Sequence, residues 1–163
     1  MDVTFRPARK TDRDAVRDIF NHYAVHGFSV YRENELDGRI FDFFANGAHA
    51  LLVAEDPARG VVGFGALRRF KPAPAFDATA MLTYFLLPDF TGGGLGSRLL
   101  AELEDIARRR GIDNLLAHVS SRNEESLRFH LKRDFAVVGR LKGIGVKFGK
   151  PFDVIWLQKG PAG

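Results

Sequence analysis

Four of the five residues from 92 to 96 are glycine, and they stand between an apolar run and a helical pattern. The stretch reads Tyr84-Phe85-Leu86-Leu87-Pro88-Asp89-Phe90-Thr91-Gly92-Gly93-Gly94-Leu95-Gly96-Ser97 and continues helically to about Arg110. In order, it is a buried strand, a turn, a glycine loop and a helix start. An ordinary strand-to-helix link does not need the backbone entropy that four glycines lose on ordering. The loop carries no side chain able to do chemistry. Its glycines instead let backbone N–H groups converge with no Cβ in the way, and a helix N-terminus adds the positive end of its dipole. Such a site suits an anion, and the stretch reads as a cradle for a pyrophosphate.

The residues after the glycines narrow the kind of cradle. A P-loop needs Lys-Ser or Lys-Thr after its last glycine, and Gly96 is followed by Ser97-Arg98. A dinucleotide fingerprint counted from Gly92 and Gly94 needs its third glycine where Ser97 stands, and no acidic residue closes the βαβ unit at the expected place.

With 163 residues the chain has the size of one domain able to bury a core. Hydrophobic residues make up 45% of it, and no apolar run approaches a membrane span, which predicts a soluble protein with no membrane partner. Met1-Asp2-Val3-Thr4-Phe5-Arg6 lacks the basic-then-apolar pattern of a signal peptide. The absence of cysteine excludes disulfides, thiolate metal sites and a cysteine acyl-enzyme, and fits a cytoplasmic protein. The net charge of +4 suits an anionic ligand. Nucleic acid is not expected, because the basic residues are scattered and Arg108-Arg109-Arg110 sits where a helix ends. No metal site is expected.

Along the chain, Val3 to Arg6 alternates like a strand, and Thr11 or Asp12 caps a helix with Ala15, Val16, Ile19, Phe20 and Tyr23 on its apolar face. An aromatic loop from Gly27 to Glu33 precedes a helix over Leu36 to Asn46, stopped by Gly47. Strands Ala48 to Glu55 and Val61 to Phe70 form a hairpin about the turn Asp56-Pro57-Ala58-Arg59-Gly60. Then come strand Thr79 to Leu87, helix Ser97 to Arg110, strand Leu115 to Ser120, helix Glu124 to Lys132, and strands Phe135 to Leu141 and Asp153 to Gln158. The order β-α-α-β-β-β-α-β-α-β-β predicts a single α/β (α+β) domain, a mixed sheet with helices on both faces. Most of the 15 phenylalanines belong to its core.

Taken together, these segments resemble the GNAT N-acetyltransferases, and among them the phosphinothricin acetyltransferase-like branch. The resemblance rests on Phe5-Arg6-Pro7-Ala8 before Thr11-Asp12, Ile19-Phe20-Asn21-His22-Tyr23, Ala75-Phe76-Asp77-Ala78-Thr79, and Pro88-Asp89 with the glycine loop. It continues through Asn123-Glu124-Glu125-Ser126, Asp134-Phe135, Val137-Val138-Gly139, and Lys147-Phe148-Gly149 before Asp153-Val154. It implies a mostly antiparallel twisted sheet whose central strands splay around acetyl-CoA, a primary amine as acceptor, and a homodimer formed through the C-terminal region. Phe85, Leu86 and Leu87 would then meet the pantetheine arm through main-chain N–H and C=O. The loop of Gly92, Gly93, Gly94, Leu95, Gly96 and Ser97 would hold the pyrophosphate. Asn123 and Ser126 match residues near the cofactor, and Asn123 also reads as a helix cap.

Direct transfer needs a neutral amine, a group to take its proton, and an acid for the leaving sulfur; it needs no covalent enzyme intermediate. Tyr84 and His130 are the candidate acids, His130 because it matches a position near the sulfur in the resembling family. The branch usually places a glutamate two residues after the threonine matching Thr79, and this chain has Met81 there. The base is then Asp77, Glu33 or Glu55 acting through water, or free amine suffices, or turnover is weak. Thr91 stands where the family commonly has Arg or Gln. Phe28, Tyr31, Phe76, Lys147 and Phe148 are expected to shape an acceptor pocket, with Arg68, Lys71 or Lys147 available for a substrate carboxylate. The competing reading that Met81 keeps open is an acyl-CoA-binding sensor or partner protein with little or no turnover.

Overall fold

The computed structural model describes residues 2–160; Met1, at the head of the N-terminal segment, lies outside them. Seven strands and four α-helices follow one another in the predicted order: β1 (Thr4–Pro7), α1 (Arg13–Val25), α2 (Arg39–Ala45), β2 (Ala48–Asp56), β3 (Gly60–Arg69), β4 (Thr79–Leu86), α3 (Leu95–Arg109), β5 (Asn114–Ser120), α4 (Glu124–Leu131), β6 (Ala136–Lys147) and β7 (Lys150–Lys159). They build one sheet in the order β1-β2-β3-β4-β5-β7-β6, with every pairing antiparallel except β4–β5.

Alternation along the strands feeds two layers. Leu51, Val53, Phe64, Ala66 and Phe85 point to the face covered by α1 and α2 through Val16, Ile19, Phe20, Phe41 and Phe44. Leu52, Leu67, Leu82, Leu115, Ala117 and Leu157 point to the other face, where α3 lays Leu99, Leu100, Leu103 and Ala107. The helix packs closely because β3 has a glycine beneath it: a Cβ on Gly65 would stand 2.9 Å from Leu103 and 3.2 Å from Leu99.

Three local readings need correction. Asp12 makes no side-chain cap on α1. Its carboxylate is buried against Arg6 at 2.8 and 3.0 Å, and Arg6 also grips Glu55 at 2.8 and 2.9 Å. Arg6 thereby lowers both carboxyl pKa values and raises its own. Helix α2 begins late, because Asn21 takes both the N–H and the C=O of Leu36 at 2.8 Å and holds the preceding backbone as loop. The two C-terminal strands are longer than the expected Phe135 to Leu141 and Asp153 to Gln158: Phe152 lies over Gly145, where any Cβ would stand 2.2 Å from its ring. Phe148 and Gly149 make the two-residue turn between them, both at positive φ.

Candidate active site

The parallel ladder between β4 and β5 lasts for three residue pairs and ends at Met81↔Leu116. Beyond it β4 keeps only β3 as partner, to Leu86↔Gly63, while β5 keeps only β7, to Ser120↔Val154. A gap opens between them, within a cleft of about 900 Å³. Leu87 donates its N–H to Val62 O at 2.8 Å, so alternation turns the backbone groups of Thr83, Phe85 and Leu87 toward β3. Those of Leu82, Tyr84 and Leu86 face the gap. Of the three main-chain contacts expected, Phe85 and Leu87 are thus already committed within the sheet. Leu86 remains, its carbonyl accepting from Tyr23 Oη at 2.6 Å, and Leu82 and Tyr84 join it.

At one end of the cleft lies the glycine loop. Gly92 and Gly94 have φ of 77° and 81°, which only glycine adopts readily. The N–H groups of Gly92, Gly93, Gly94, Leu95, Gly96 and Ser97 have no acceptor among the described residues, and α3 contributes its N-terminus. A Cβ at Gly92, Gly93 or Gly94 would point into open space. Arg133, which no sequence motif marked, completes this end: it stacks 3.7 Å over Phe129, donates to Ser97 Oγ and lines the cleft. Its guanidinium supplies positive charge that Thr91 does not. Open amides, a helix N-terminus and a guanidinium fit a diphosphate.

Midway, Tyr84 Oη lies 2.5 Å from His130 Nε2. His130 Nδ1 is 2.7 Å from the carbonyl of Ser126, so Nδ1 carries the hydrogen and Nε2 accepts from the phenol. Burial raises the Tyr84 pKa well above the ordinary tyrosine value, and burial with Arg133 lowers that of His130. Asn123 accepts from Ser126 N at 3.2 Å as the α4 cap and donates to Ser29 Oγ at 3.0 Å, tying α4 to the loop after α1.

At the far end, of the predicted pocket residues only Tyr31 lines the cleft. Phe28 and Phe148 pack edge-to-face beside it, and Phe76 packs on Phe70 outside. Lys147 is fully buried, donating to Val30 O at 2.7 Å and Tyr23 O at 3.3 Å, and burial lowers its pKa. The expected bases lie elsewhere: Glu55 is held by Arg6, Glu33 accepts from Phe148 N–H, and Asp77 sits 3.7 Å from Arg69. None of the three lines the cleft. Lys71 rests against Phe70 and Phe76, while Arg68 is half-buried in the cleft wall, 3.9 Å over Phe43, with no carboxylate within 4 Å among the described residues. His118 also lines this end; no motif in the sequence marked it.

Known proteins share this fold. The family model described as "Acetyltransferase (GNAT) family" matches residues 13–135. The chain belongs to the GNAT acetyltransferase family. It is 31% identical to the L-amino acid N-acyltransferase MnaT of Escherichia coli, over 96% of this chain and 92% of that protein. It is 31% identical to the L-methionine sulfoximine/L-methionine sulfone acetyltransferase of Salmonella typhimurium, over 96% and 93%. The solved structure of yncA from Salmonella typhimurium with its cofactor acetyl-CoA superposes with a TM-score of 0.87 at 30% identity, covering 98% of this chain and 94% of that one. As a GNAT enzyme of the phosphinothricin acetyltransferase-like branch, the chain is an N-acetyltransferase with acetyl-CoA as donor. Its mixed, mostly antiparallel sheet with splayed central strands is the GNAT fold.

Proposed function

We propose that this GNAT enzyme acetylates the primary amine of a small amino-acid-like acceptor by direct transfer. The observation that carries the reading is the continuity of one cleft from six open amides to the Arg68 guanidinium, which has no carboxylate within 4 Å among the described residues. The amides of Gly92 to Ser97 with Arg133 would hold the diphosphate, and the main-chain groups of Leu82, Tyr84 and Leu86 the pantetheine arm. Acetyl-CoA, when bound, supplies an activated acyl group and a thiol leaving group. Tyr84 is the acid placed along the gap: with Nδ1 of His130 committed to Ser126, the phenol O–H rests on Nε2 and turns from it to the leaving sulfur to deliver its proton. Arg68, desolvated and unpaired, suits an acceptor carboxylate. The named activities of the relatives, on amino acids and their sulfoximine or sulfone analogues, support this choice.

Two further points belong to the proposal. The chain is a homodimer built on β6, an edge strand whose Val138, Ile144 and Val146 are 55%, 59% and 67% exposed. Its setting is cytoplasmic; among the described residues no helix is long and apolar enough to cross a membrane. The test is thiol release from acetyl-CoA across amines with and without a carboxylate, beside calorimetry of CoA alone. Turnover confined to carboxylate-bearing amines supports the reading, and its loss on Arg68→Ala through KM identifies the anchor. CoA binding without turnover on any amine favours the sensor reading that Met81 keeps open.

A further inference from the structure

The cleft lacks the glutamate that the resembling branch carries at Met81, and the carboxylates named from sequence are all engaged elsewhere. The register shows what stands nearest. Arg68, Met81 and Leu116 form one row across the sheet, and Ala66, Thr83, His118 and Trp156 occupy the row two residues on, on the same face. Thr83 and His118 are the first residues on that face beyond the end of the β4–β5 ladder, so they flank the mouth of the gap. His118 is exposed on one side and held on the other by two aromatic residues. Tyr31 stacks on it at 5.5 Å and 27°, Trp156 packs at 5.1 Å, and Tyr31 Oη lies 2.8 Å from Nδ1. Tyr31 is itself stacked on Phe152 at 5.4 Å. The one hydrogen bond of the ring among the described residues is at Nδ1, and Nε2 is left to the open side.

We propose that His118 is the general base of the reaction, taking the place of the glutamate missing at Met81, with Nδ1–H donating to Tyr31 Oη and Nε2 facing the acceptor amine. This rests on the acetyltransferase reading above. An acceptor anchored through its carboxylate at Arg68 would project its nitrogen across β4 toward His118. The ammonium gives one proton to Nε2, leaving an imidazolium and a free lone pair. The nitrogen then forms the C–N bond as the C–S bond breaks and its electron pair leaves on sulfur. The second nitrogen proton is lost on amide formation and the thiolate takes one up, so that amide, thiol and one proton held by His118 result; that proton returns to solvent.

The surroundings favour the free base. His118 keeps one side of its ring open to solvent, and desolvation by the aromatic residues packed on the rest lowers its pKa from the ordinary histidine value. The groups facing it are Tyr31 from the loop, Trp156 from β7 and Thr83 from β4, with Arg68 from β3 in the adjacent row; Tyr31 is itself pushed up to about 12 and stays neutral. A histidine shifted down is uncharged at neutral pH, so a reaction that needs it falls as pH drops through its pKa.

The test uses the whole chain with a carboxylate-bearing amine that it acetylates. Histidine ¹⁵N NMR of the CoA-free protein should show His118 neutral with hydrogen on Nδ1, titrating below the free-histidine value, and the acidic limb of kcat/KM should fall at the same pH. His118→Gln should lower kcat/KM about a hundredfold at neutral pH and abolish that limb, with CoA affinity by calorimetry within twofold of the parent. Met81→Glu in the His118→Gln background should restore activity with a limb in the carboxylate range. A His118→Gln protein that keeps its limb and stays within threefold of the parent overturns the proposal, as does hydrogen found on Nε2. A parent protein that binds CoA and acetylates no amine overturns the underlying reading instead.

Discussion

Single residues separate what the protein needs for folding from what it needs for its ligand. Gly92 and Gly94 sit at positive φ, so a side chain there strains the backbone whatever it touches. Gly93 does not, and its Cβ would meet nothing within 4 Å. Gly93→Val should therefore leave the melting temperature within about 2 °C. Calorimetry should show CoA affinity reduced at least about tenfold, about 1.4 kcal/mol. Equal losses in both measurements would make the loop structural only. Gly94→Val should weaken CoA binding too, with a folding penalty of about 1–2 kcal/mol added. At the centre of the cleft, Tyr84→Phe keeps the ring that stacks on His130 and removes the hydroxyl. It should lower kcat about a hundredfold with little change in acceptor KM; an unaltered kcat would remove Tyr84 from the chemistry.

Elements carry the second tier of control, through the loop between α1 and α2. Two side chains from distant segments hold it. Asn123, the α4 cap, donates to Ser29, and Lys147, at the end of β6, donates to the carbonyls of Val30 and Tyr23. Asn123→Ala loses cap and clip together and should cost about 0.5–2 kcal/mol by denaturant unfolding. Lys147→Met fills the volume but leaves two carbonyls without a donor. Each buried orphan costs about 1–3 kcal/mol, and the loosened loop should raise the acceptor KM while CoA affinity holds. The sign with pH comes from the lowered pKa of Lys147. Between that folded value and the ordinary lysine range the unfolded chain binds more protons, so the parent's stability rises with pH across the window, and Lys147→Met should flatten that rise. The sequence analysis expects Lys147 in the acceptor pocket, as a cation available for a substrate carboxylate. Only the fold packs the Tyr23–Val30 loop over this side chain.

For the molecule as a whole, the free edge of β6 is the feature that a lone domain does not explain. Val138→Glu with Ile144→Glu should leave the circular dichroism unchanged and shift sedimentation from dimer to monomer; a parent already monomeric at micromolar concentration would refute the assembly. Element order, the two-layer core and the glycine loop at a helix start were legible from the chain, because periodicity and runs of glycine act over a few residues. The strand β6 was only half legible. The expected strand stopped at Leu141, when the real one runs on to Lys147 past Gly145, the space beneath Phe152. Arg133 and His118 were not legible at all: one is an ordinary basic residue in a helix-end sequence, the other a single polar residue in an apolar strand.

The amino-acid sequence alone determined that a strand would deliver a run of side-chain-free backbone to a helix start, since torsional freedom and the helix dipole are local properties. Tertiary structure alone decided where the β4–β5 ladder stops, which amides and carbonyls face the gap, and which ionisable groups meet there. Those depend on strand register and on burial by partners far away in the chain, and neither is written in the neighbourhood of any one residue.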